Sequence, residues 1–315
     1  LRRTWAWKEE YGGQIKNQPS GRFKPNLIMN LAMGLLLGGM LGVLAAFLLE
    51  FLDDTLKTPD DIEQKLKLAV LGIIPKLGAN ESIAIASGDP RSSFSEAYRS
   101  VRTALQFATD HGVPRTLLVT SAGSGEGKST TAMALARNFA QIGKRVLLIE
   151  ADLRNPSLRL TLGLKGQEAG LSNLLAGGCT LAEATVESVE QGLNVILAGP
   201  LPPNPAELLS GSKLVSALTV AVERYDLVIL DGPPVLGLAD APILSNATDG
   251  TLLVVNSAKT KIGAAQIALK RLLSARARIV GALLSKYDAR NAASAYRFGY
   301  EYQAYYGGKP RLTKG

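Results

Sequence analysis

Apolar residues in this chain form two different patterns, and the first is one long uninterrupted run. From Leu27 to Leu49 the only polar side chain is that of Asn30. At about 1.5 Å per residue, a helix of this length covers roughly 34 Å, enough to cross the hydrocarbon core of a bilayer. A helix that packs on a globular core carries polar residues on its outer face. The run therefore predicts one transmembrane helix at residues 27–49.

The second pattern is a series of short Val-, Ile- and Leu-rich runs that alternate with segments of helical periodicity. Such runs are typical of parallel strands that helices cover on both faces. They predict a doubly wound α/β fold with its ligand at the carboxyl ends of the strands. The expected strands are Thr116–Thr120, Val146–Glu150, Val195–Ala198, Leu227–Leu230, Leu252–Val255 and Ile279–Leu284. The expected helices include Thr131–Ile142, Leu214–Arg224 and Ala264–Leu273.

Shorter patterns connect the membrane run to this alternation. Thr58-Pro59-Asp60-Asp61 predicts the start of a helix, because threonine caps a helix, proline suits its first position and acids suit its first turn. A short strand is expected at residues 68–75, a linker at 79–90 and another helix at 95–107.

A glycine-rich turn joins the first strand of the main domain to its helix. It reads Ser-Ala-Gly-Ser-Gly-Glu-Gly-Lys-Ser-Thr, with Ala122 where the strict pattern has glycine. This is a P-loop, whose backbone N–H groups hold phosphate oxygens, so the fold is expected to be of P-loop NTPase type. Lys128 is expected to contact the β- and γ-phosphates, and the Ser129 hydroxyl a Mg²⁺ ion. The predicted nucleotide-binding residues are Gly123, Ser124, Gly125, Glu126, Gly127, Lys128, Ser129 and Thr130.

Two buried strands lead into acidic residues at the edge where the P-loop lies. Asp231 follows Leu-Val-Ile-Leu, and Asp152 follows Leu-Leu-Ile-Glu-Ala. A carboxylate in this place is the second signature of P-loop NTPases, where it binds Mg²⁺. Asp231 and Asp152 are therefore predicted as metal or catalytic groups. For Glu150 two interpretations stay open, a catalytic carboxylate or an acceptor of a loop hydrogen bond.

Composition excludes some kinds of cross-link and metal site and limits the kinds of partner. The 315-residue chain has one cysteine, Cys179, and one histidine, His111, so an internal disulfide is excluded and a His/Cys zinc site is not expected. The net charge of +8 could be balanced by nucleic acid, anionic lipid or a phosphorylated segment. Because no nucleic-acid recognition motif is present, no nucleic acid is expected as a partner. The start at Leu1 suggests a fragment or a processed product.

Two further clusters are visible. Glu96, Arg99 and Arg102 are spaced by three on one face of the helix expected at 95–107, which by itself is typical of a solvated face with an intrahelical ion pair. Near the C-terminus, five of the chain's nine tyrosines stand close together among glycines, either as an adhesive low-complexity tail or as phosphate acceptors. They are Tyr296, Tyr300, Tyr302, Tyr305 and Tyr306.

Together these features resemble the bacterial tyrosine kinases of polysaccharide export, the BY-kinases. The P-loop resembles the family's Walker A, Leu-Leu-Ile-Glu-Ala-Asp its Walker A′ and Leu-Val-Ile-Leu-Asp-Gly-Pro-Pro its Walker B. Glu96, Arg99 and Arg102 match the family's oligomerisation motif, and Gly-Pro-Leu-Pro-Pro-Asn-Pro-Ala-Glu-Leu-Leu from Gly199 is also similar to family sequence. Glu150 departs from the Asp or Asn that usually begins the A′ element, which leaves its role and the level of activity open.

The resemblance implies a domain plan. Residues 1–26 are expected to be an extracytoplasmic juxtamembrane stub and 27–49 the second membrane helix of a polysaccharide co-polymerase. Residues 50–90 would be a cytoplasmic linker with a short helix and strand, 91–290 the P-loop tyrosine kinase domain and 291–315 the tyrosine-rich tail.

The resemblance also implies an activity, the ATP-dependent phosphorylation of the tyrosine cluster in trans within a homo-oligomeric ring. Lys128, Glu150, Asp152 and Asp231 would be catalytic, and Ser129, Asp152 and Asp231 would hold Mg²⁺. Phosphorylation would add roughly −8 to −10 charge to the tail, at about −1.5 to −2 per group, and dissolve the ring. The implied partners are the bacterial inner membrane, the polysaccharide polymerisation and export machinery, and a cognate tyrosine phosphatase.

Two observations on membrane orientation disagree. Lysine and arginine are more frequent in residues 1–26 than in 50–67, which favours a cytoplasmic N-terminal side. The P-loop, however, lies C-terminal to the helix, and ATP is cytoplasmic. We therefore expect a cytoplasmic kinase domain, with topology set by a helix upstream of this chain.

Two alternative functions stay open. A non-kinase ATPase of the partitioning or septum-site class shares the fold, but it carries a lysine five residues before the P-loop lysine, where this chain has Gly123. A structural co-polymerase that binds ATP without transferring phosphate is the other alternative, and Glu150 keeps it open. Phosphotyrosine on the tail would discriminate between them and a kinase.

Overall fold

The computed structural model describes residues 27–77, 92–110, 112–162, 169–188 and 190–288. The expected stub, the expected 79–90 linker and the tyrosine cluster lie outside these residues. The chain divides into two compact units, residues 1–53 and 54–315.

The first unit contains helix α1, Leu27–Leu52, which is 26 residues long. Its large apolar side chains are exposed, for example Leu35 at 76% and Phe47 at 71%. The span Leu27–Phe51 has a mean hydropathy of 2.3 and is 0% buried within the chain. Long enough and apolar enough to cross a bilayer, α1 is a candidate membrane anchor.

The second unit is an α/β fold on one eight-stranded sheet. Its strands are β1 (Val70–Pro75), β2 (Thr116–Ser121), β3 (Val146–Glu150), β4 (Val186–Glu187), β5 (Leu193–Ile196), β6 (Leu227–Asp231), β7 (Gly250–Asn256) and β8 (Ile279–Tyr287). Its helices are α2 (Pro59–Leu66), α3 (Ser93–Gln106), α4 (Lys128–Ala140), α5 (Leu158–Leu162), α6 (Leu171–Ala176), α7 (Leu181–Ala184), α8 (Pro205–Ser210), α9 (Ser212–Arg224), α10 (Asp240–Ala247) and α11 (Ile262–Ser274).

The strand order places β2 and β6 at the centre of the sheet. The order is β1-β8-β7-β2-β6-β3-β5-β4, and only the β4–β5 pair is antiparallel. Every residue of β2, β3, β6 and β7 is buried, as the continuous apolar runs predicted. Alternate side chains enter cores on opposite faces, Leu117 with α3 and α4 and Leu118 with the helices of the other face.

The predicted doubly wound fold is confirmed, and the boundaries differ where local chemistry outweighs periodicity. Helix α4 begins at Lys128, three residues earlier than expected, directly after Gly127 at φ 98°. Its first turn, Lys-Ser-Thr-Thr, has no apolar residue by which the pattern could have located it. The short helices α5 to α8 were not predicted, because four to six residues hold too little periodicity.

Residues 50–77, part of the expected cytoplasmic linker, contain the short helix and strand predicted for it, and the strand joins this sheet. Thr58 caps α2 as its sequence predicted, and the structure adds a reciprocal capping box with Asp61. β1 then pairs with β8 in parallel as the edge strand. Just before α2, the backbone of residues 54–56 pairs with that of residues 258–262, through Leu56 N–H to Thr260 O (2.9 Å) and Ile262 N–H to Asp54 O (2.9 Å).

Helix α3 is joined to α4 by two polar contacts besides its apolar packing. Tyr98 is buried, and its hydroxyl shares a 3.1 Å hydrogen bond with the buried Thr131 hydroxyl. Burial raises the pKa of Tyr98 well above its usual value, and the Thr131 contact opposes the rise only in part. Arg102 Nη1 donates to Asn138 O at 3.1 Å near the far end of α4. The helix that carries Glu96, Arg99 and Arg102 thus packs directly on the helix that begins at the P-loop.

We expect Tyr98→Phe to lower the free energy of unfolding by about 1–3 kcal/mol, because it leaves the buried Thr131 hydroxyl without its partner. Thermal unfolding of the detergent-solubilised chain, followed by circular dichroism, should show a midpoint several degrees lower. Tyr225→Phe is the matched control, since its hydroxyl accepts from Asn194 Nδ2 (2.9 Å) at a half-buried position. Equal midpoints for the two variants would contradict the expectation.

Candidate active site

The P-loop is held from behind through its carbonyl oxygens. Ser121 Oγ donates to Gly123 O (2.7 Å), Lys286 Nζ to Gly125 O (2.9 Å) and Ser285 Oγ to Glu126 O (2.6 Å). Gly125 and Gly127 adopt φ values of 75° and 98°, which glycine tolerates and other residues rarely do. A turn of this kind at a helix N-terminus forms an anion-binding nest of N–H groups.

Glu126 differs from the other residues of the loop because its side chain is buried in a structural contact. Its Oε1 accepts from Thr260 Oγ1 at 2.7 Å. Burial raises the pKa of Glu126, while the Thr260 bond, backbone bonds from Gly123 and Ala122, and the charge of Lys259 oppose the rise. Only the backbone of Glu126 is therefore suited to a phosphate, and the carboxylate ties the loop to the β7–α11 connection.

Lys128 and Asp152 form a buried ion pair at the carboxyl edge of the sheet. Lys128 Nζ lies 2.9 Å from Asp152 Oδ2, and both residues are less than 10% exposed. The other oxygen, Asp152 Oδ1, accepts the N–H groups of Arg154 (3.3 Å) and Asn155 (3.0 Å). The Lys128 ammonium, which the motif predicts to bind phosphate, is thus paired with the Asp152 carboxylate. A bound phosphate would have to replace that carboxylate as its partner.

Asp231 is a buried carboxylate whose charge is only weakly compensated by its surroundings. It is 1% exposed, and neither oxygen has a hydrogen-bond partner among the described residues. Burial raises the pKa of Asp231 to about 7, with smaller opposing effects from Lys128 and the nearby Ser129 hydroxyl. Orphaned carboxylate oxygens beside a P-loop serine fit a hard cation such as Mg²⁺.

The described residues contain no group of three or more His, Cys, Asp or Glu side chains arranged to hold a metal. This agrees with the chemistry of Mg²⁺ in such sites, where one or two carboxylates suffice because substrate phosphates and water supply the other ligands. Ser129, Asp152 and Asp231 are the residues available for that role.

Glu150 lies beside Asp231 in the β3–β6 register, but its carboxylate is engaged elsewhere. Its Oε1 accepts the N–H groups of Ser157 and Leu158, both at 2.6 Å, and its Oε2 accepts that of Ala198 at 3.1 Å. Of the two interpretations of Glu150, this geometry matches the acceptor of loop hydrogen bonds. The side chain supports the start of α5 and the segment after β5.

The predicted oligomerisation residues lie on α3, away from this edge, and the predicted phosphate acceptors lie outside the described residues. Glu96 and Arg99 form an intrahelical ion pair on α3. The five clustered tyrosines lie beyond residue 288, outside the described part of the chain.

Sequence reasoning missed several residues that shape the site, namely Arg154, Asp240, Thr260, Ser285 and Lys286. Each bonds a residue far away along the chain, so no local spacing marks it. Nor did any sequence pattern indicate a cavity of about 270 Å³ beside the P-loop. Its lining includes Phe94, Tyr98, Gly127 and Thr130.

The raised pKa of Asp231 gives a testable pH dependence. The unfolded carboxyl ionises near 3.8 and the folded one near 7, so between these values the folded state holds a proton that the unfolded state has released. Burial of the charge therefore destabilises the fold increasingly as pH rises from about 4 to 7, and fully above 7.

We expect Asp231→Asn to raise the unfolding midpoint of the nucleotide-free protein at pH 8, with a gain that shrinks at pH 5. Differential scanning fluorimetry at both values measures this. Asp226→Asn is the control of opposite sign, because Arg145 holds the pKa of Asp226 down to about 2 and the ionised form there stabilises the fold. A midpoint gain for Asp231→Asn that does not change with pH would contradict the assignment.

Comparison with known proteins shows the family of this chain. A family model described as an AAA domain matches residues 115–275, just over half of the chain. Over 201 residues the chain is 43% identical to the tyrosine-protein kinase YwqD of Bacillus subtilis (strain 168), covering 64% of this chain and 84% of YwqD.

Two further likenesses extend the match. EpsB of Ralstonia solanacearum is 34% identical over 254 residues, which cover 77% of this chain and 33% of EpsB. The kinase domain of the Escherichia coli tyrosine kinase ETK superposes with a TM-score of 0.69 at 30% identity, covering 76% of this chain and 98% of that domain. The chain carries the nucleotide-binding fold of these proteins, and it belongs to the bacterial tyrosine-kinase family.

Proposed function

We propose that this chain is an ATP- and Mg²⁺-dependent autokinase that phosphorylates its C-terminal tyrosines in trans and thereby regulates capsular or exopolysaccharide assembly and export. The observation that carries the proposal is the buried Lys128–Asp152 ion pair next to the unpaired Asp231 carboxylate, in a chain of the tyrosine-kinase family. Such a group of charges is suited to a metal–phosphate complex, in which the metal would supply the counter-charge that Asp231 lacks and the phosphate would bind Lys128.

ATP would bind with its phosphates on the backbone N–H groups of residues 123–130. Lys128 would leave Asp152 for the β- and γ-phosphates, since the ammonium is attracted more strongly by the higher phosphate charge. The cavity beside Gly127 and Thr130 also has Ile74, Pro75 and Leu77 in its lining, so it offers apolar surface to the adenine ring.

Ser129, Asp231 and Asp152 would hold Mg²⁺, directly or through water. The bound ion would neutralise charge on the phosphate oxygens. This arrangement relieves the cost of burying the Asp231 charge and releases Asp152 Oδ2 from its lysine partner.

A tyrosine hydroxyl has a pKa near 10, so its proton needs an acceptor at neutral pH. Of the two A′ carboxylates, Glu150 already accepts three backbone N–H groups, whereas Asp152 Oδ2 is held only by the lysine that ATP would attract. We assign proton acceptance to Asp152, and to Glu150 the positioning of the turn after β3. The remaining contribution to catalysis is alignment and charge neutralisation.

Transfer in trans requires neighbouring copies, and α3 offers the surface for them. Glu96 and Arg99 are about one third exposed, so a partner has access to both. In the proposed ring, Tyr296, Tyr300, Tyr302, Tyr305 and Tyr306 of one copy enter the site of the next. Their phosphorylation would place repulsive charge at the interface and dissolve the ring.

The cellular setting follows from the candidate membrane helix and from relatives. α1 would anchor the chain in the bacterial inner membrane as the second helix of a co-polymerase, with the kinase domain in the cytoplasm. EpsB is about three times longer than its matched region, which supports such a fusion. The export machinery and a cognate tyrosine phosphatase would be the partners.

One alternative is favoured by a specific observation. The engagement of Glu150 by backbone N–H groups removes one carboxylate from the phosphate edge, which would suit a co-polymerase that binds ATP without transferring phosphate. Phosphotyrosine formation separates the two functions.

We expect the purified chain to acquire phosphotyrosine in the 296–306 cluster on incubation with Mg·ATP, as mapped by mass spectrometry. Lys128→Met should reduce the rate by about 10²-fold or more, since it removes the cation that stabilises the transferred phosphate. The exposed Lys144→Met is the matched control and should match the unsubstituted chain. ATP binding without any phosphotyrosine would contradict the kinase and support the co-polymerase.

We expect the combined change of Glu96, Arg99 and Arg102 to alanine to shift the unphosphorylated protein from rings to monomers. Loss of interface charges worth about 2–4 kcal/mol would weaken assembly by about 30-fold or more. Sedimentation velocity in detergent measures this, with alanine at the exposed Glu223 and Arg224 of α9 as control. Stable rings of the triple variant would refute the interface.

A further inference from the structure

Strands β3 and β6 are joined at both ends by an arginine–aspartate pair. At the amino ends, Arg145 before β3 pairs with Asp226 before β6, with Nη2 to Oδ1 at 2.8 Å. Beyond the carboxyl ends, Arg154 after β3 pairs with Asp240 after β6. The second pair lies on the side of the sheet edge where Lys128, Asp152 and Asp231 meet.

The Arg154–Asp240 pair is more enclosed than its counterpart. Asp240 is 0% exposed, and it accepts Nε of Arg154 at 2.7 Å and Nη2 at 3.1 Å, one on each oxygen. Two parallel bonds from a planar guanidinium fix direction as well as distance. The pair therefore determines where the Arg154 side chain and its backbone can lie.

The backbone of Arg154 is at the same time part of the site. Its N–H donates to Asp152 Oδ1 at 3.3 Å, and the N–H of Asn155 donates to the same oxygen at 3.0 Å. One residue thus contacts the site carboxylate through its main chain and the buried Asp240 through its side chain. Arg154 therefore links the turn that orients Asp152 to the segment that carries Asp240.

Asp240 rests on a segment that is itself fixed to the P-loop strand. The N–H groups of Val235 and Leu236 donate to Ser121 O (2.9 Å) and Ala122 O (3.2 Å). Arg271 of α11 donates to Val235 O and Leu238 O, both at 2.9 Å. The connection from Asp231 to Asp240 is therefore bonded to both the end of β2 and α11, and the turn after β3 reaches it through Arg154.

We propose that Arg154 and Asp240 are positioning residues that hold the Asp152 carboxylate in the orientation needed for Mg·nucleotide. The proposal rests on the role of Asp152 in the proposed function. When ATP draws Lys128 away, Asp152 loses the bond to Oδ2 and keeps only those to Oδ1. The Arg154–Asp240 pair then determines whether the carboxylate stays in place.

The first test uses the nucleotide-free full chain in detergent. Hydrogen–deuterium exchange should show faster exchange at residues 153–155 in Arg154→Gln, by about tenfold or more, because the turn loses its attachment. Arg154→Lys should be intermediate, since it keeps the charge and loses the two-pronged geometry. Asp226→Asn, which breaks the equivalent pair at the other end of the sheet, should leave this segment unchanged.

The second test measures Mg²⁺ dependence with a fluorescent ADP analogue. The Mg²⁺ concentration for half-maximal enhancement of binding should rise about 10- to 100-fold in Arg154→Gln and in Asp240→Asn. Binding without metal should stay within about twofold, because the P-loop and Lys128 are intact. Unchanged exchange and Mg²⁺ dependence in Arg154→Gln, or an equal change in Asp226→Asn, would overturn the proposal.

A kinetic measurement separates this proposal from the proposed function. For tail phosphorylation, kcat should fall about 10- to 100-fold in Arg154→Gln while KM for ATP stays within about threefold. If the unsubstituted chain forms no phosphotyrosine, the proposed function fails. The exchange and Mg²⁺ measurements still decide on the positioning role, because neither needs turnover.

Discussion

The structure depends on how it keeps charges buried at the carboxyl edge of its central strands. Burial of an isolated charge destabilises a fold, and the charge of Lys128 is compensated by Asp152, whose Oδ2 lies 2.9 Å from Nζ. Asp231, one strand away, has no such partner among the described residues. This edge therefore carries an excess of carboxylate, which the metal ion of the proposed function would balance. Stability and the proposed ligand binding would thus be coupled through the same three side chains.

The parts of the fold that repeat a simple local rule could be predicted from sequence. Continuous apolar runs identified the strands of the sheet, because a parallel strand covered on both faces excludes polar side chains. The P-loop was predicted from its glycines, since glycine readily adopts the positive φ values found at Gly125 and Gly127 and other residues rarely do. Asp152 and Asp231 could be located because each lies next to the end of such a strand. The cap at Thr58 was equally visible, although its reciprocal bonding with Asp61 was not predicted.

The rest could not be predicted because it depends on which distant residues meet. Arg154 and Asp240 are 86 positions apart, and Thr260 and Glu126 are 134 apart. No periodicity marks either pair. Side-chain direction was also hidden. Glu126 was predicted as a ligand-binding residue, yet its carboxylate points to Thr260. The short helices around β4 and β5 were missed for a different reason, because they form through contacts that only the folded sheet provides.

The three bonds of Glu150 have a consequence for how this sequence can change. One side chain spans from the start of α5 to Ala198, and a shorter aspartate would lose at least one side of that bridge. Each buried N–H left unmatched would cost about 1–3 kcal/mol. The family's usual residue would therefore be deleterious here unless neighbouring loops changed with it. Evolution at position 150 is therefore constrained, because a substitution there requires compensating changes in the loops that Glu150 joins.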